Sequence, residues 1–259
     1  MAGSPSTTRT LTLAGTEVPR VGLGTNRLTR ENEDFLREAV EAGLGLIDTA
    51  HVYTGGESER AIGEALSPVD DRVVIATKGG YDGSGHPEAL HAQIEQSLES
   101  LRTDAIDLYY LHRVDPETPL EQSLATIAEY RDAGKISEVG LSAVDVEQIE
   151  AARRVVPISA VQNHFNLSER GSDEVVDYCA ENGIVFVPYY PLKGGGPSSL
   201  SEVAERHDAT PHQIALAWLL RRSPVMLPIP GTRSIEHLRE NLAALEIELS
   251  DEESDALSE

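Results

Sequence analysis

Four side chains of this sequence are of the types needed to deliver a proton to an oxygen atom: Asp48, Tyr53, Lys78 and His112. A free phenol has a pKa of about 10, and a nearby ammonium that stabilises the phenolate makes it a better acid near neutral pH. Lys78 can supply that ammonium to Tyr53, and Asp48 would hold and charge-balance it. His112, neutral at one nitrogen, can orient a carbonyl or pass a proton. Such a set suits the delivery of hydride to a carbonyl carbon, which leaves negative charge developing on oxygen and calls for a proton donor and a polarising hydrogen bond. Each residue taken singly also has a structural reading: Asp48 with Lys78 as a buried ion pair, and His112 as a satisfied core histidine. A third chemistry uses Lys78 as a Schiff-base nucleophile, as in a barrel aldolase. Asp48 opposes it, because an ion-paired lysine stays protonated and poorly nucleophilic.

The elements that must position these residues are short β-rich runs alternating with longer amphipathic ones. Strands are predicted over 20–23, 45–48, 73–77, 107–112, 137–141, 160–163, 184–189 and 225–229. Near-continuous apolar runs such as Val73-Val74-Ile75-Ala76 are the pattern of parallel strands covered on both faces. Helical spacing joins Leu36/Val40, Ile94/Leu98/Leu101, Leu120/Leu124/Ile127 and Ile235/Leu238/Leu242. Gly43, Gly134 and Gly183 each end such a pattern shortly before the next strand, where a helix C-cap often needs positive φ. Ahead of the first unit, residues 11–18 read as a hairpin with Gly15 in its turn, able to plug one end of a barrel. No Pro/Ser-rich linker or charge block divides the chain. The expectation is one (β/α)8 barrel domain spanning 1–259, with 1–9 as a flexible leading segment; a doubly wound open sheet is the alternative.

In such a barrel the chemistry sits at the C-terminal ends of the strands. There the sequence places Asp48, followed by Tyr53, then Lys78, His112, Ser142, Gln162 with Asn163, and Tyr189. A strand that merely packs has no need of an Asp, a Lys or a His at its rim.

The stretches Asp48-Thr49-Ala50-His51-Val52-Tyr53 with Gly56-Glu57-Ser58-Glu59, Ala76-Thr77-Lys78, Leu108-Tyr109-Tyr110-Leu111-His112 and Ile229-Pro230-Gly231-Thr232-Arg233 resemble the aldo-keto reductase superfamily. They stand in the family's order and spacing from about Val21 to Asn241. The resemblance implies an NAD(P)H-dependent reductase of aldehydes or ketones whose catalytic tetrad is Asp48, Tyr53, Lys78 and His112, with Tyr53 as proton donor. It also implies a cofactor site. Gly24, Thr25 and Asn26 would border it, Ser142 and Gln162 would bond the nicotinamide amide, and Tyr189 would stack on the ring. Pyrophosphate would lie against Pro191, Leu192 and Lys193, while Thr232, Arg233, Ser234 and His237 would meet a 2′-phosphate and Glu240 and Asn241 would face adenine. A helix start at Ser234 favours an anion on physical grounds as well, although Ser234 as a plain N-cap and Arg233 as a solvated charge are the simpler reading.

Three positions depart from the family's common pattern. Ala143 follows Ser142 where many members have Asn, Asn26 stands where many have Trp, and Gly231 stands where a lysine often flanks the 2′-phosphate. The expected cofactor is NADPH, with NADH as the weaker alternative. Gly22-Leu23-Gly24-Thr25 lacks the third glycine of a dinucleotide fingerprint, so a Rossmann site is not supported.

Charge narrows the partners. The 259 residues carry 44 Asp and Glu against 21 Lys and Arg, a net charge of −23, which repels phosphate backbones and anionic lipid. Nucleic-acid and membrane-surface roles are thereby disfavoured, and the expected partner is a small-molecule carbonyl compound. No run approaches the roughly 20 apolar residues of a membrane span, and residues 1–13 lack a signal peptide's apolar block. The expectation is a monomer in the cytoplasm. Cys179, alone in the chain, lies in a helical pattern and reads as a buried small hydrophobe. A nucleotide-binding regulatory subunit of the same fold, without significant turnover, is the alternative function.

Overall fold

The chain reverses at Ala14 and Gly15, both in the left-handed region with φ of 49° and 76°, so strands β1 (Thr10–Leu13) and β2 (Thr16–Pro19) pair antiparallel. This is the hairpin foreseen from Gly15. The computed structural model describes residues 8–68, 72–194 and 196–258. Most of the expected leading segment, 1–7, lies outside the described residues; Arg9 already belongs to the fold, its carbonyl accepting from the Arg20 N–H.

Seven parallel strands follow in sequence order: β3 (Leu23–Gly24), β4 (Leu46–Asp48), β5 (Val74–Gly79), β6 (Ile106–Leu111), β7 (Ile136–Ser142), β8 (Ala160–Gln162) and β9 (Val185–Phe186). Helices α1 (Glu33–Glu41), α2 (Glu57–Leu66), α3 (Pro87–Leu101), α4 (Leu120–Asp132), α5 (Val146–Arg153) and α6 (Asp173–Asn182) separate them. Then come α7 (Ser199–Arg206), α8 (Pro211–Arg222), α9 (Ile235–Ala243) and α10 (Asp251–Ser258). Gly43, Gly134 and Gly183 take φ of 95°, 74° and 66°, in agreement with their reading as helix ends.

The eighth expected strand, 225–229, does not form a ladder. Pro228 and Pro230 have no N–H to give, so the segment can only accept on that side, from Gly22 N to Pro228 O at 2.9 Å and from Gly24 N to Pro230 O at 3.4 Å. On the other side Leu227 N donates to Phe186 O and Phe186 N to Val225 O. Parallel bridges Phe186↔Met226 and Gly24↔Gly231 thus carry the curled sheet from β9 round to β3. Pro188 likewise shortens β9, although Val187 N and Tyr189 N still bond Val161 O and Asn163 O.

The core has two layers. Inside the curl, Leu46, Val74, Ala76, Leu108, Tyr110, Ala160, Val187, Leu227 and Ile229 meet Leu13 and Val18 of the hairpin, which closes the end away from the strand C-termini. Between strands and helices, the predicted stripes Leu36, Ile94, Leu98, Leu101, Leu124, Ile127 and Leu238 are buried with Trp218 and Phe165. Gly140 pairs with Tyr110 across β6 and β7; a Cβ there would lie 2.4 Å from the Tyr110 ring, so glycine makes room for a phenol filling the interior. Arg20 fastens the closing segment from below: its buried guanidinium donates to the carbonyls of Met226, Leu220 and Ser223.

Candidate active site

β4 ends in Asp48 and β5 carries Lys78, and the parallel register sets these strands side by side. Lys78 Nζ lies 2.6 Å from Asp48 Oδ1 and 2.6 Å from the carbonyl of Thr49, with both side chains buried. Its third contact is the Tyr53 hydroxyl at 3.5 Å. Tyr53 reaches it from the turn Tyr53–Gly56, where Thr54, Gly55 and Gly56 all have positive φ. His112, just past β6, meets the Tyr53 ring edge-on with centroids 5.9 Å apart. All four predicted residues therefore converge at the strand C-termini.

Electrostatics gives the four groups different states. Burial lowers the Lys78 pKa, but Asp48 and Tyr53 outweigh it and hold the ammonium above its ordinary range. This keeps Lys78 protonated and argues against its use as a nucleophile. Burial pushes the Asp48 carboxyl up, while Lys78 and a hydrogen bond from Gln162 pull it back. The His112 imidazole is brought down to about 3 by burial, with Lys78 and Arg113 adding to the effect, so it is neutral near pH 7. Tyr53 departs from expectation: burial raises its pKa more than Lys78 lowers it, and Asp48 adds to the rise. The ammonium acts in the foreseen direction against a larger desolvation penalty.

A buried hydroxyl network fixes these positions. Thr25 N and Oγ1 both donate to Asp48 O, at 3.0 and 2.9 Å. Ser58 Oγ sits within 2.8 Å of the Thr25 and Thr49 hydroxyls, tying the loops after β3 and β4 to the first turn of α2. Glu59 accepts from Thr77 Oγ1 at 2.6 Å beside Lys78. The Gly56-Glu57-Ser58-Glu59 stretch thus holds the Thr49 carbonyl against the ammonium.

A cavity of about 500 Å³ opens over this set, walled by Asp48, Tyr53, His112, Ser142, Gln162, Tyr189 and Pro191, with Gly24, Thr25 and Asn26 on one side. It is of a size that suits a ligand. Tyr189 is backed by His164, stacked on it at 5.3 Å and 6°. Lys78 lies behind the wall. Leu192 and Lys193 continue the chain beyond Pro191, and Lys193 is exposed with its Nζ 4.8 Å from the Tyr190 ring. Outside the cavity wall, Glu240 and Asn241 lie in the second half of α9, and Thr232, Arg233, Ser234 and His237 lie around its start. There Ser234 caps the helix, accepting from His237 N at 3.2 Å and donating to Glu236 Oε2 at 2.7 Å. Arg233 is exposed, and Asn241 is buried.

The model of the aldo/keto reductase family matches residues 20–259. The chain belongs to that family. Among its relatives is an uncharacterised oxidoreductase of Schizosaccharomyces pombe, 39% identical over 258 residues, covering 91% of this chain and 84% of the relative. Pyridoxine 4-dehydrogenase of Escherichia coli is 38% identical over 271 residues, covering 94% and 95%. Among solved structures, an aldo/keto reductase of Klebsiella pneumoniae in complex with NADP and acetate superposes with a TM-score of 0.87 at 31% identity, covering 96% of this chain and 94% of the other.

The wall of this aldo/keto reductase pocket also includes Val52, Thr54, Tyr81, Arg113, Tyr190 and Ile229, which the sequence does not mark as site residues, and Gly231, expected where a lysine often flanks the 2′-phosphate. Tyr81 packs on His112 with centroids 4.8 Å apart. Val52, Tyr81 and Tyr190 are the large hydrophobic side chains left exposed among the described residues. A tyrosine shortly after the strand ends at Lys78 and Tyr189 was the available signal. Ala143 holds a φ of 56° where its N–H bonds Gln162 O at 3.0 Å, a left-handed conformation that Asn adopts more readily than Ala.

Proposed function

We propose that the chain is an NADPH-dependent carbonyl reductase in which Tyr53 donates the proton. The observation that carries this reading is the placement of Lys78 Nζ between Asp48 Oδ1 and the Tyr53 hydroxyl, directly behind a cavity that Tyr53 and His112 line.

The residues present fit a nicotinamide cofactor. Tyr189, supported from behind by His164, offers an aromatic wall for stacking. Ser142 supplies a hydroxyl, and Gln162, whose Nε2 is engaged by Asp48, keeps its carbonyl oxygen for an amide N–H. His112 Nδ1 is buried with no hydrogen-bond partner among the described residues. For the 2′-phosphate, Arg233 stands exposed beside the α9 N-terminus, and the Klebsiella pneumoniae neighbour was crystallised with NADP. NADPH, when bound, supplies the hydride.

The chain's own residues supply the proton and its control. The Tyr53 O–H donates to the carbonyl oxygen as negative charge gathers there. Lys78 then stabilises the phenolate, and Asp48 keeps the ammonium charged and in place. His112, being neutral, polarises or orients the carbonyl without bringing a second positive charge. All four residues come from one chain.

Following NADPH and NADH oxidation against a panel of aldehydes, ketones and quinones tests this reading. Turnover of at least one aldehyde or ketone with NADPH is expected, and silence across the panel with both cofactors would overturn it.

A further inference from the structure

One charge in the pocket is not used by the proton-transfer chemistry. Arg113 follows His112 at the end of β6, is half-buried, and lines the same cavity. Its guanidinium carbon lies 6.0 Å from the Tyr189 ring centroid, and no carboxylate pairs with it among the described residues. Other arginines of this acidic protein also lack a carboxylate partner, among them Arg20, which donates to backbone carbonyls, and the exposed Arg233, but Arg113 is the basic side chain on the wall of this cavity.

The charge balance of the cavity sharpens the point. Asp48 is the one carboxylate on its wall, and Lys78 neutralises it at 2.6 Å. His112 is neutral near pH 7. Arg113 therefore leaves a local positive charge inside a molecule whose net charge is −23. Beyond a Debye length of about 8–10 Å the acidic surface is screened, so within the cavity the guanidinium dominates. Partly desolvated and planar, it presents paired N–H donors matched to a carboxylate. Around the mouth, Val52, Tyr81 and Tyr190 are 40%, 43% and 48% exposed and offer an apolar rim for a carbon body.

We infer that Arg113 is a specificity-determining residue that selects carbonyl substrates bearing a carboxylate, with an apolar segment between the two groups. The inference rests on the carbonyl-reductase reading above and names the substrate class of that same site. The carbonyl oxygen sits at Tyr53 and His112, and the carboxylate pairs with the guanidinium that adjoins His112 in the chain.

The test compares para-carboxybenzaldehyde with its neutral counterpart para-formylbenzamide, using NADPH at low salt, in wild type, Arg113→Met and Arg113→Lys. The ratio of kcat/KM values, charged over neutral, should fall about tenfold or more in R113M and recover in part in R113K. The dissociation constant for NADPH should stay unchanged in both. An unchanged ratio in R113M overturns the inference, as does a loss of NADPH affinity that accounts for the whole effect, which would assign the arginine to a cofactor phosphate. Calorimetric titration of benzoate and benzamide into the protein saturated with NADP+ reads the same selectivity without turnover. Benzoate should bind more tightly than benzamide to wild type and lose about tenfold in R113M. Failure to reduce either aldehyde would thus count against the reductase reading alone, whereas equal binding of benzoate and benzamide to wild type would sink the carboxylate selection.

Discussion

Gln162 holds the carboxylate oxygen of Asp48 that Lys78 leaves free: its Nε2 lies 2.7 Å from Oδ2, while Lys78 Nζ lies 2.6 Å from Oδ1. The residue expected at the nicotinamide amide is therefore also a support for the buried Asp48–Lys78 ion pair. Gln162→Met removes the donor and leaves a buried carboxylate oxygen unsatisfied, which costs about 1–3 kcal/mol. Urea denaturation should show a loss of that order. An unshifted midpoint would mean that the bond contributes nothing.

Lys78→Met should destabilise the fold more, because it strands the Asp48 charge in the interior. Breaking a buried pair from one side costs about 3–5 kcal/mol. Adding Asp48→Asn removes the stranded charge, so D48N/K78M should regain most of the stability and none of the activity. If the double variant is as unstable as K78M, the ion-pair argument fails; if it turns over, Lys78 has no part in the proton donor.

The neutral His112 has a signature in acid. Its folded pKa of about 3 is below the ordinary 6.5 of the unfolded chain, so between those values the unfolded state binds more protons. Stability then rises with pH through this window, is fully present above about 6.5, and is lost as pH falls toward 3. Urea midpoints at pH 7 and pH 5 should differ for wild type and differ less for His112→Asn. The pH–rate profile should show no limb near 6.5 from this imidazole.

At the start of α9 stand two groups of opposite charge, Arg233 and Glu236, and the proposed choice of cofactor sets them against each other. Arg233 should favour the 2′-phosphate by roughly tenfold to a hundredfold, the range of a charge-assisted pair of about 1.5–3 kcal/mol. Glu236, bonded to the Ser234 hydroxyl at 2.7 Å, places a carboxylate at the same helix end and should oppose it. Fluorescence titration should show that Arg233→Ala weakens NADPH by that factor and leaves NADH almost unchanged. Glu236→Gln should strengthen NADPH alone. Equal losses of both cofactors in R233A would show that Arg233 does not read the 2′-phosphate.

What the sequence displays and what it hides divide along physical lines. The meeting of Asp48, Tyr53, Lys78 and His112 at one end of the sheet was legible because an Asp, a Lys and a His at strand ends stand out against apolar runs such as Val73-Val74-Ile75-Ala76. Cap glycines were legible because a helix C-cap often needs positive φ. The eighth strand misled: its apolar content promises a strand, but Pro228 and Pro230 withhold the N–H groups that a ladder needs. Arg113 and Tyr190 directly follow His112 and Tyr189, and Tyr81 lies three residues past Lys78; the period-2 alternation ends with the strand, so residue type alone does not say which of these side chains turns into the pocket. The Gln162–Asp48 bond joins residues 114 apart in the chain, a distance at which residue type alone says nothing about pairing.

Tyr53→Phe tests most directly whether Tyr53 donates the proton under the influence of Lys78, because it deletes the hydroxyl and keeps the ring. General acid catalysis contributes about 10²- to 10⁴-fold. With the aldehyde that wild type reduces best, Y53F should lose turnover by that factor while its dissociation constant for NADPH stays within about twofold of wild type. A turnover rate near that of wild type, with cofactor binding intact, would contradict the assignment of Tyr53 as the acid.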